Sequence, residues 1–350
     1  MFLHWVKFPS YSRFDTPEYY GFGREFVYRI PVAFAVFIDL LPIDNQGRNI
    51  KITTSDNVTI GAWHFLPTEY YERQPQLRLD QESAVCDEVY EAALAAPQFD
   101  TFIYFHGNAL DRAAPWRVDL YKQLLLRFRN INLITIDYRG FGDSESTPSE
   151  FGLGIDAQST LDWLHDKGVS NNRISLIGHS LGTGVATALA HNMTALGNPP
   201  KSLILKAGYS SMSTLVFEYN VIFKLPILSP IKHFPVLEKW LLSKLNHRFD
   251  SLSRIQNVGC PILIIYGTND AEIPGTNSQA LFRHALNSTD TLGAMVELKR
   301  VSLSTVANEA NVYRSVGHKP CVVLVELIHA NHNNVGYFDY TFASIADILQ

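Results

Sequence analysis

From about residue 50 onward, short β-branched runs alternate with segments whose apolar residues recur at helical spacing. KITT (51–54) and NVTIGAWHF (57–65) predict a leading pair of strands. TFIYF (101–105), INLITID (131–137), RISLIG (173–178), KSLILKA (201–207), PILIIYG (261–267) and CVVLVELI (321–328) predict those that follow. Helical patterns fall around 117–129, over 155–167 and from Leu181 to about Asn192, and YFDYTFASIADIL (337–349) predicts a closing helix. Strands and helices in alternation are the pattern of an α/β fold, a mostly parallel sheet flanked by helices.

Two stretches depart from this alternation. Residues 69–98 are polar, acidic and partly helical (DEVYEAALAA), and read as a surface insertion. Between the strands at 201–207 and 261–267 runs FEYNVIFKLPILSPIKHFPVLEKWLLSKL, apolar, aromatic and broken by Pro226, Pro230 and Pro235. Proline ends or kinks a helix, so this stretch predicts several short helices rather than one. A long apolar excursion there is a candidate helical lid over about 209–255, with ordinary helical packing on the sheet as the alternative. The expected organisation is an aromatic-rich N-terminal extension (1–45) followed by a single domain (46–350).

Composition narrows the picture. With 46% hydrophobic and 18% charged residues the chain can bury a sizeable core. A net charge of −5 without a Lys/Arg cluster excludes a nucleic-acid partner, whose binding rests on phosphate neutralisation. Cys86, Cys260 and Cys321 have neither disulfide-framework nor metal spacing and are expected to pack as core residues. No metal or cofactor is expected, and nothing in the pattern sets the oligomeric state. No stretch reaches the roughly 20 apolar residues of a membrane span. The longest candidate, IPVAFAVFIDLLPI (30–43), is short and interrupted by Asp39, and no signal peptide is expected. Twelve of the first 40 residues are nonetheless aromatic. Such a segment either tucks onto the domain or sits at a membrane interface, where Trp and Tyr are favoured.

The candidate chemistry centres on GHSLG (178–182), flanked by the strand RISLIG and an alanine-rich helix. A serine hydroxyl needs a base to take its proton, a carboxylate to orient that base and donors for the oxyanion. Gly178 and Gly182 would let helix and strand close tightly enough to expose Ser180 on a strained turn, making it the candidate nucleophile. In PILIIYGTNDAEIP, Asp270 follows the strand into the loop at the same sheet edge and is the candidate acid, with Glu272 as fallback. In CVVLVELIHANHNNVGY, His332 lies deep enough in the loop to reach both Ser180 and Asp270 and is the candidate base, with His329 as the alternative. Oxyanion donors are expected from the N–H groups of Leu181 and of Asn108, the latter in the loop after TFIYFHGN. His106 reads as structural, and the HxxxxD pattern it forms with Asp111 as coincidence. DYRGFGDSEST (137–147) has no phosphate-loop lysine and no helix directly after it, so it reads as a turn packed under the site, and Asp143 comes too early in the chain to be the acid.

NVTIGAWHFLP, FHGNA with WRVDLYKQLL, DYRGFGDSESTPSE, GHSLGTGVAT and HNNVGY together resemble the α/β-hydrolase-domain lipases, in particular the monoacylglycerol and lysophosphatidylserine lipase branch, over roughly residues 40–345. The resemblance implies an α/β-hydrolase fold, with the nucleophile at Ser180, the acid at Asp270 and the base at His332. It implies hydrolysis of the ester of a single-chain acyl lipid without a cofactor, at a membrane of the endoplasmic reticulum, a cytoplasmic enzyme being the alternative. The aromatic N-terminus and the lid would then be the peripheral membrane contacts. A protein depalmitoylase or thioesterase, a small-ester carboxylesterase and an inactive scaffold are the other readings. The chain departs from the branch in three places. Leu110 stands where the family usually has Gly, the stretch MVELKRVSLSTVANEANVYRSVGHK before the last strand is long, and the N-terminal membrane helix common in the branch has no counterpart.

Overall fold

A computed structural model describes residues 46–74, 77, 85–218, 229–286, 296–302, 309–317 and 320–350. The expectations for the aromatic segment 1–45 and for the lid residues 219–228 lie outside the described residues, as does the side chain of Cys86.

In chain order the elements are β1 (Gly47–Thr53), β2 (Thr59–Phe65), α1 (Val85–Ala95), β3 (Asp100–Phe105), α2 (Pro115–Arg127), β4 (Ile131–Ile136), α3 (Glu150–Asp166), β5 (Ile174–His179), α4 (Leu181–Ala195) and β6 (Ser202–Lys206). There follow α5 (Met212–Glu218), α6 (Pro235–Ser243), α7 (Ser251–Ile255), β7 (Ile262–Gly267), α8 (Thr276–Ala285), β8 (Val296–Ser302), β9 (Glu309–Ser315), β10 (Val322–Leu327) and α9 (Asp339–Ile348).

The strands form one 10-stranded sheet in the order β1-β2-β4-β3-β5-β6-β7-β10-β9-β8. From β4 to β10 neighbouring strands are parallel, whereas β1, β2, β8 and β9 join the two edges antiparallel. Consecutive side chains of a strand face opposite sides of the sheet, and the core divides accordingly. Ile103, Phe105, Leu176, Leu205 and Ile264 pack with Leu161 of α3, Val185 of α4 and Leu281 of α8. Phe102, Tyr104, Ile177, Ile204, Leu263 and Val325 pack on the other face with Leu124 of α2 and Phe342 and Ile345 of α9. Both faces are covered, which is why β3, β4, β5, β6 and β7 read as continuous apolar runs.

The structure differs from the sequence expectation at two places. Helix α3 begins at Glu150, ahead of the expected 155, because the Ser149 hydroxyl accepts the Gly152 N–H at 3.0 Å and caps the first turn. The long stretch before the last strand contains β8 and β9, paired from Val296↔Ser315 to Ser302↔Glu309, which extend the sheet beyond β10. Between β6 and β7 the apolar excursion is divided, as its prolines require, into α5, a tight turn over Ser229–His233, and α6 starting at Pro235. Helix α6 buries none of its side chains and leaves Val236, Leu237 and Trp240 exposed, with Phe234 exposed just before it. Among the described residues no helix is long and apolar enough to cross a membrane.

Candidate active site

Strand β5 and helix α4 meet at Ser180 alone, and the chain reverses there with φ 52° and ψ −119°. Such a conformation costs a non-glycine residue about 1–3 kcal/mol, so the surroundings must impose it. They do so by close packing. A Cβ on Gly178 would lie 2.5 Å from the Gly182 carbonyl oxygen, and one on Gly182 would lie 2.0 Å from that of Phe105. The turn is also tied into the sheet, since the Ser180 N–H donates to the Lys206 carbonyl at 3.0 Å and the Thr183 hydroxyl donates to the Ser180 carbonyl at 2.6 Å. The result is a half-buried hydroxyl at the carboxyl edge of the parallel strands.

The loops after β7 and β10 supply the other two groups at the same edge. Asp270 Oδ1 accepts the N–H groups of Glu272 and Ile273, both at 2.9 Å, which fixes the carboxylate in its own turn. Its Oδ2 lies 2.8 Å from Nδ1 of His332, and both side chains are buried, at 2% and 7% exposure. Because Asp270 is acceptor-only when ionised, Nδ1 carries the proton and leaves Nε2 free to act as base. Burial opposes a charged imidazole here, but the hydrogen bond that His332 donates to Asp270, the Asp270 charge and that of Glu272 prevail and raise the His332 pKa. Glu272, the fallback acid, is on the other side of the ring, with Oε2 3.7 Å from Nε2. His329 is exposed at φ 69° in the turn after β10, its N–H donating to Thr268 Oγ1 at 3.0 Å, and the chain runs three residues further before His332 turns in. The base loop is held to the serine turn by His179, whose Nε2 donates to the His332 carbonyl at 2.9 Å.

The loop after β3 closes the third side. Gly107 brings backbone against the turn, where an added Cβ would be 3.2 Å from Ser180 Cβ. Arg117, in the first turn of α2, donates to the carbonyls of Asp111, Ala109 and Gly107 at 2.5, 2.6 and 3.2 Å. One guanidinium thus gathers three carbonyls to one side of the loop. The N–H of Asn108 bonds to no backbone carbonyl among the described residues, nor does that of Leu181, which opens α4 where helical N–H groups have no partner. Leu110 adopts φ 57°, the left-handed region that favours glycine.

His106 is fully buried against Tyr138, ring centroids 4.4 Å apart, and donates through Nδ1 to the Gly107 carbonyl at 2.7 Å. Burial, then Arg117, lower its pKa. Asp111 caps its own turn by accepting the Ala113 N–H at 2.9 Å, so the HxxxxD pattern has structural work on both ends. The loop over 137–147 lies beneath: Asp137 and Asp143 both pair with the buried Arg112, and Lys51 reaches Asp143 at 2.5 Å. Arg112 and Arg117 are the residues that hydrophobic patterning does not single out. Arg117 stands within WRVDLYKQLL, where helical periodicity alone reads it as a surface position.

Known proteins resemble this chain in sequence and fold. The profile described as "Alpha/beta hydrolase family" matches residues 102–324. The lysophosphatidylserine lipase ABHD12 of Rattus norvegicus is 30% identical over 278 residues, 77% of this chain and 65% of that protein. The Danio rerio protein of the same name is 29% identical over 286 residues, 80% of this chain and 70% of that protein. The chain thus spans about two thirds of the length of these relatives. Among solved structures, an alpha-beta hydrolase from Vibrio vulnificus superposes with a TM-score of 0.56 at 16% identity, covering 97% of this chain and 93% of that one. The Pyrococcus furiosus esterase Pf2001 does so at 0.55 and 16% identity, covering 89% and 93%. At such identities these two speak for the fold alone.

Proposed function

The chain belongs to the alpha/beta hydrolase family, and from that premise we propose that it is a serine hydrolase cleaving the carboxylic ester of a single-chain acyl lipid, a monoacylglycerol or a lysophospholipid. The observation that carries this reading is the buried His332–Asp270 pair at the sheet edge where Ser180 is held in its strained turn. Ser180 Oγ attacks the ester carbonyl carbon as His332 Nε2 takes its proton. The carbonyl oxygen becomes an oxyanion, received by the N–H groups of Leu181 and Asn108; one such donor is worth roughly 10²–10³ in rate. The imidazolium, stabilised by Asp270, returns the proton to the leaving alkoxide, and an acyl group remains on Ser180. Water, deprotonated by the same imidazole, then releases the fatty acid and restores the hydroxyl.

The lipid character of the substrate is supported by the two lysophosphatidylserine lipases and by the apolar excursion between β6 and β7. Exposed Phe234, Val236, Leu237 and Trp240 on and beside α6 give that excursion an apolar outer face, suited to a lipid surface from which a monomeric substrate is drawn. The reading is tested by turnover of a monoacylglycerol, a lysophospholipid, an S-palmitoyl peptide and a short p-nitrophenyl ester. A kcat/KM at least tenfold higher on one of the first two is expected. Preference for the thioester or the short ester would replace the lipid assignment, and no turnover of any would leave an inactive scaffold.

Glu272 gives the reaction a defined pH response. The base must be neutral to accept the Ser180 proton, so kcat/KM falls as pH drops through the raised pKa of His332. Glu272→Gln removes one of the charges that raise it. The acid limb of the kcat/KM profile is expected to move to lower pH with the plateau preserved; an unmoved limb would show that Glu272 does not act on the base.

A further inference from the structure

Lys206, the last residue of β6, is buried to 3% exposure directly behind the serine turn. Its Nζ lies 5.1 Å from the centre of the Tyr104 ring, and no carboxylate among the described residues pairs with it. It lines a small cavity with Arg117, Trp116, His179, Asn333 and Tyr337. Arg117 spends its terminal nitrogens on neutral backbone carbonyls, so its charge also lacks a carboxylate partner. The indole Nε1 of Trp116 and Nε of Arg117 are buried donors that find no acceptor in the protein. Lys206, Arg117 and Trp116 thus line one cavity whose wall carries no acid.

A buried charge without a partner is costly by several kcal/mol, so the site must either lose a proton or gather an anion. Burial and then the Arg117 charge push the Lys206 pKa down to about 7, so the amine is charged below neutral pH and loses its proton above it. The Arg117 cation beside it favours the second outcome, since deprotonating Lys206 would still leave that guanidinium without an acidic partner.

We propose that this cavity binds a single halide-sized monovalent anion, held by Lys206, Arg117 and the Trp116 indole N–H. Its placement gives it a consequence. Arg117 holds the Gly107–Asp111 loop, while Asn333 and Tyr337 belong to the loop that bears His332, so an anion between them ties the two loops together. This site is separate from the ester-hydrolase reading and is tested without it.

The test is thermal unfolding of the full chain at constant ionic strength, with chloride or bromide replacing gluconate, at pH 6 and pH 8. Saturable stabilisation by about 3 °C is expected for wild type, larger at pH 6 where Lys206 is charged. Of the groups facing Lys206, Arg117 keeps its charge, burial holds His179 neutral, and burial raises the Tyr104 and Tyr337 pKa values out of this range. His332 titrates nearby, so the pH trend is read as the difference between wild type and Lys206→Met. In Lys206→Met, which keeps the buried chain without the charge, the anion response should vanish. Trp116→Phe should raise the half-saturating chloride concentration several-fold and serves as second variant if the first does not fold. Identical unfolding with chloride and gluconate in wild type, or an equal chloride response in both variants, would overturn the proposal.

Discussion

Ser180→Ala is expected to lower kcat/KM for the preferred ester by roughly 10⁴–10⁶-fold, the scale on which removing a nucleophile acts when oxyanion donors and binding remain. The fold should not notice. Alanine keeps the Cβ that the strained φ of 52° already accommodates, and the turn is held through backbone groups of residue 180, its N–H to Lys206 and its carbonyl to Thr183. The unfolding temperature should therefore stay within about 1 °C of wild type, since a substitution that removes no packing or buried bond is nearly neutral. Loss of activity with loss of fold would mean that the hydroxyl has a structural duty that its surroundings do not show.

Gly182→Ala should do the opposite and strike stability first. The new methyl would sit 2.0 Å from the Phe105 carbonyl oxygen, 2.6 Å from its carbon and 2.9 Å from the His106 oxygen. All three are backbone atoms where β3 leads into its loop, and no rotamer change can move them. Relief requires α4 to lift from the sheet, breaking the packing of Leu181 and Val185, at about 3 kcal/mol or more. A fall of about 6 °C or more in unfolding temperature follows for a chain of this size, with turnover lost because Leu181 N–H moves with the helix. Gly154 in α3 is the internal control: its added Cβ meets nothing within 4 Å, so Gly154→Ala should be neutral or slightly stabilising. If Gly182→Ala unfolded like wild type, the close approach of helix and strand would be wrong.

The sheet was legible because its central strands are buried on both faces and announce themselves as unbroken apolar runs. The edge hairpin of β8 and β9 carries charged residues within its strands, VELKRVS and EANVYRS, and so lacks that signal. The reach of each candidate site residue was legible for a related reason: GHSLG, Asp270 and His332 follow recognisable strands into loops at one edge, and the structure brings Asp270 and His332 together there at 2.8 Å. The sequence already ranked Asp270 ahead of Glu272 and His332 ahead of His329, and the structure sets Asp270 on Nδ1 of His332 and Glu272 on the far side of the ring. What sequence could not reveal were groups whose meaning depends on distant partners. Arg117 acts on carbonyls up to ten residues upstream, and Lys206 is unusual only because nothing acidic among the described residues folds against it.

The most direct measurement of the central claim is covalent labelling of the wild-type chain with a fluorophosphonate, followed by peptide mapping. A phosphonyl group forms only on a serine activated by a base and flanked by oxyanion donors. The account predicts one adduct, on the peptide containing Ser180, and none in Ser180→Ala. An adduct on another serine, or ester turnover that persists in Ser180→Ala, would contradict it.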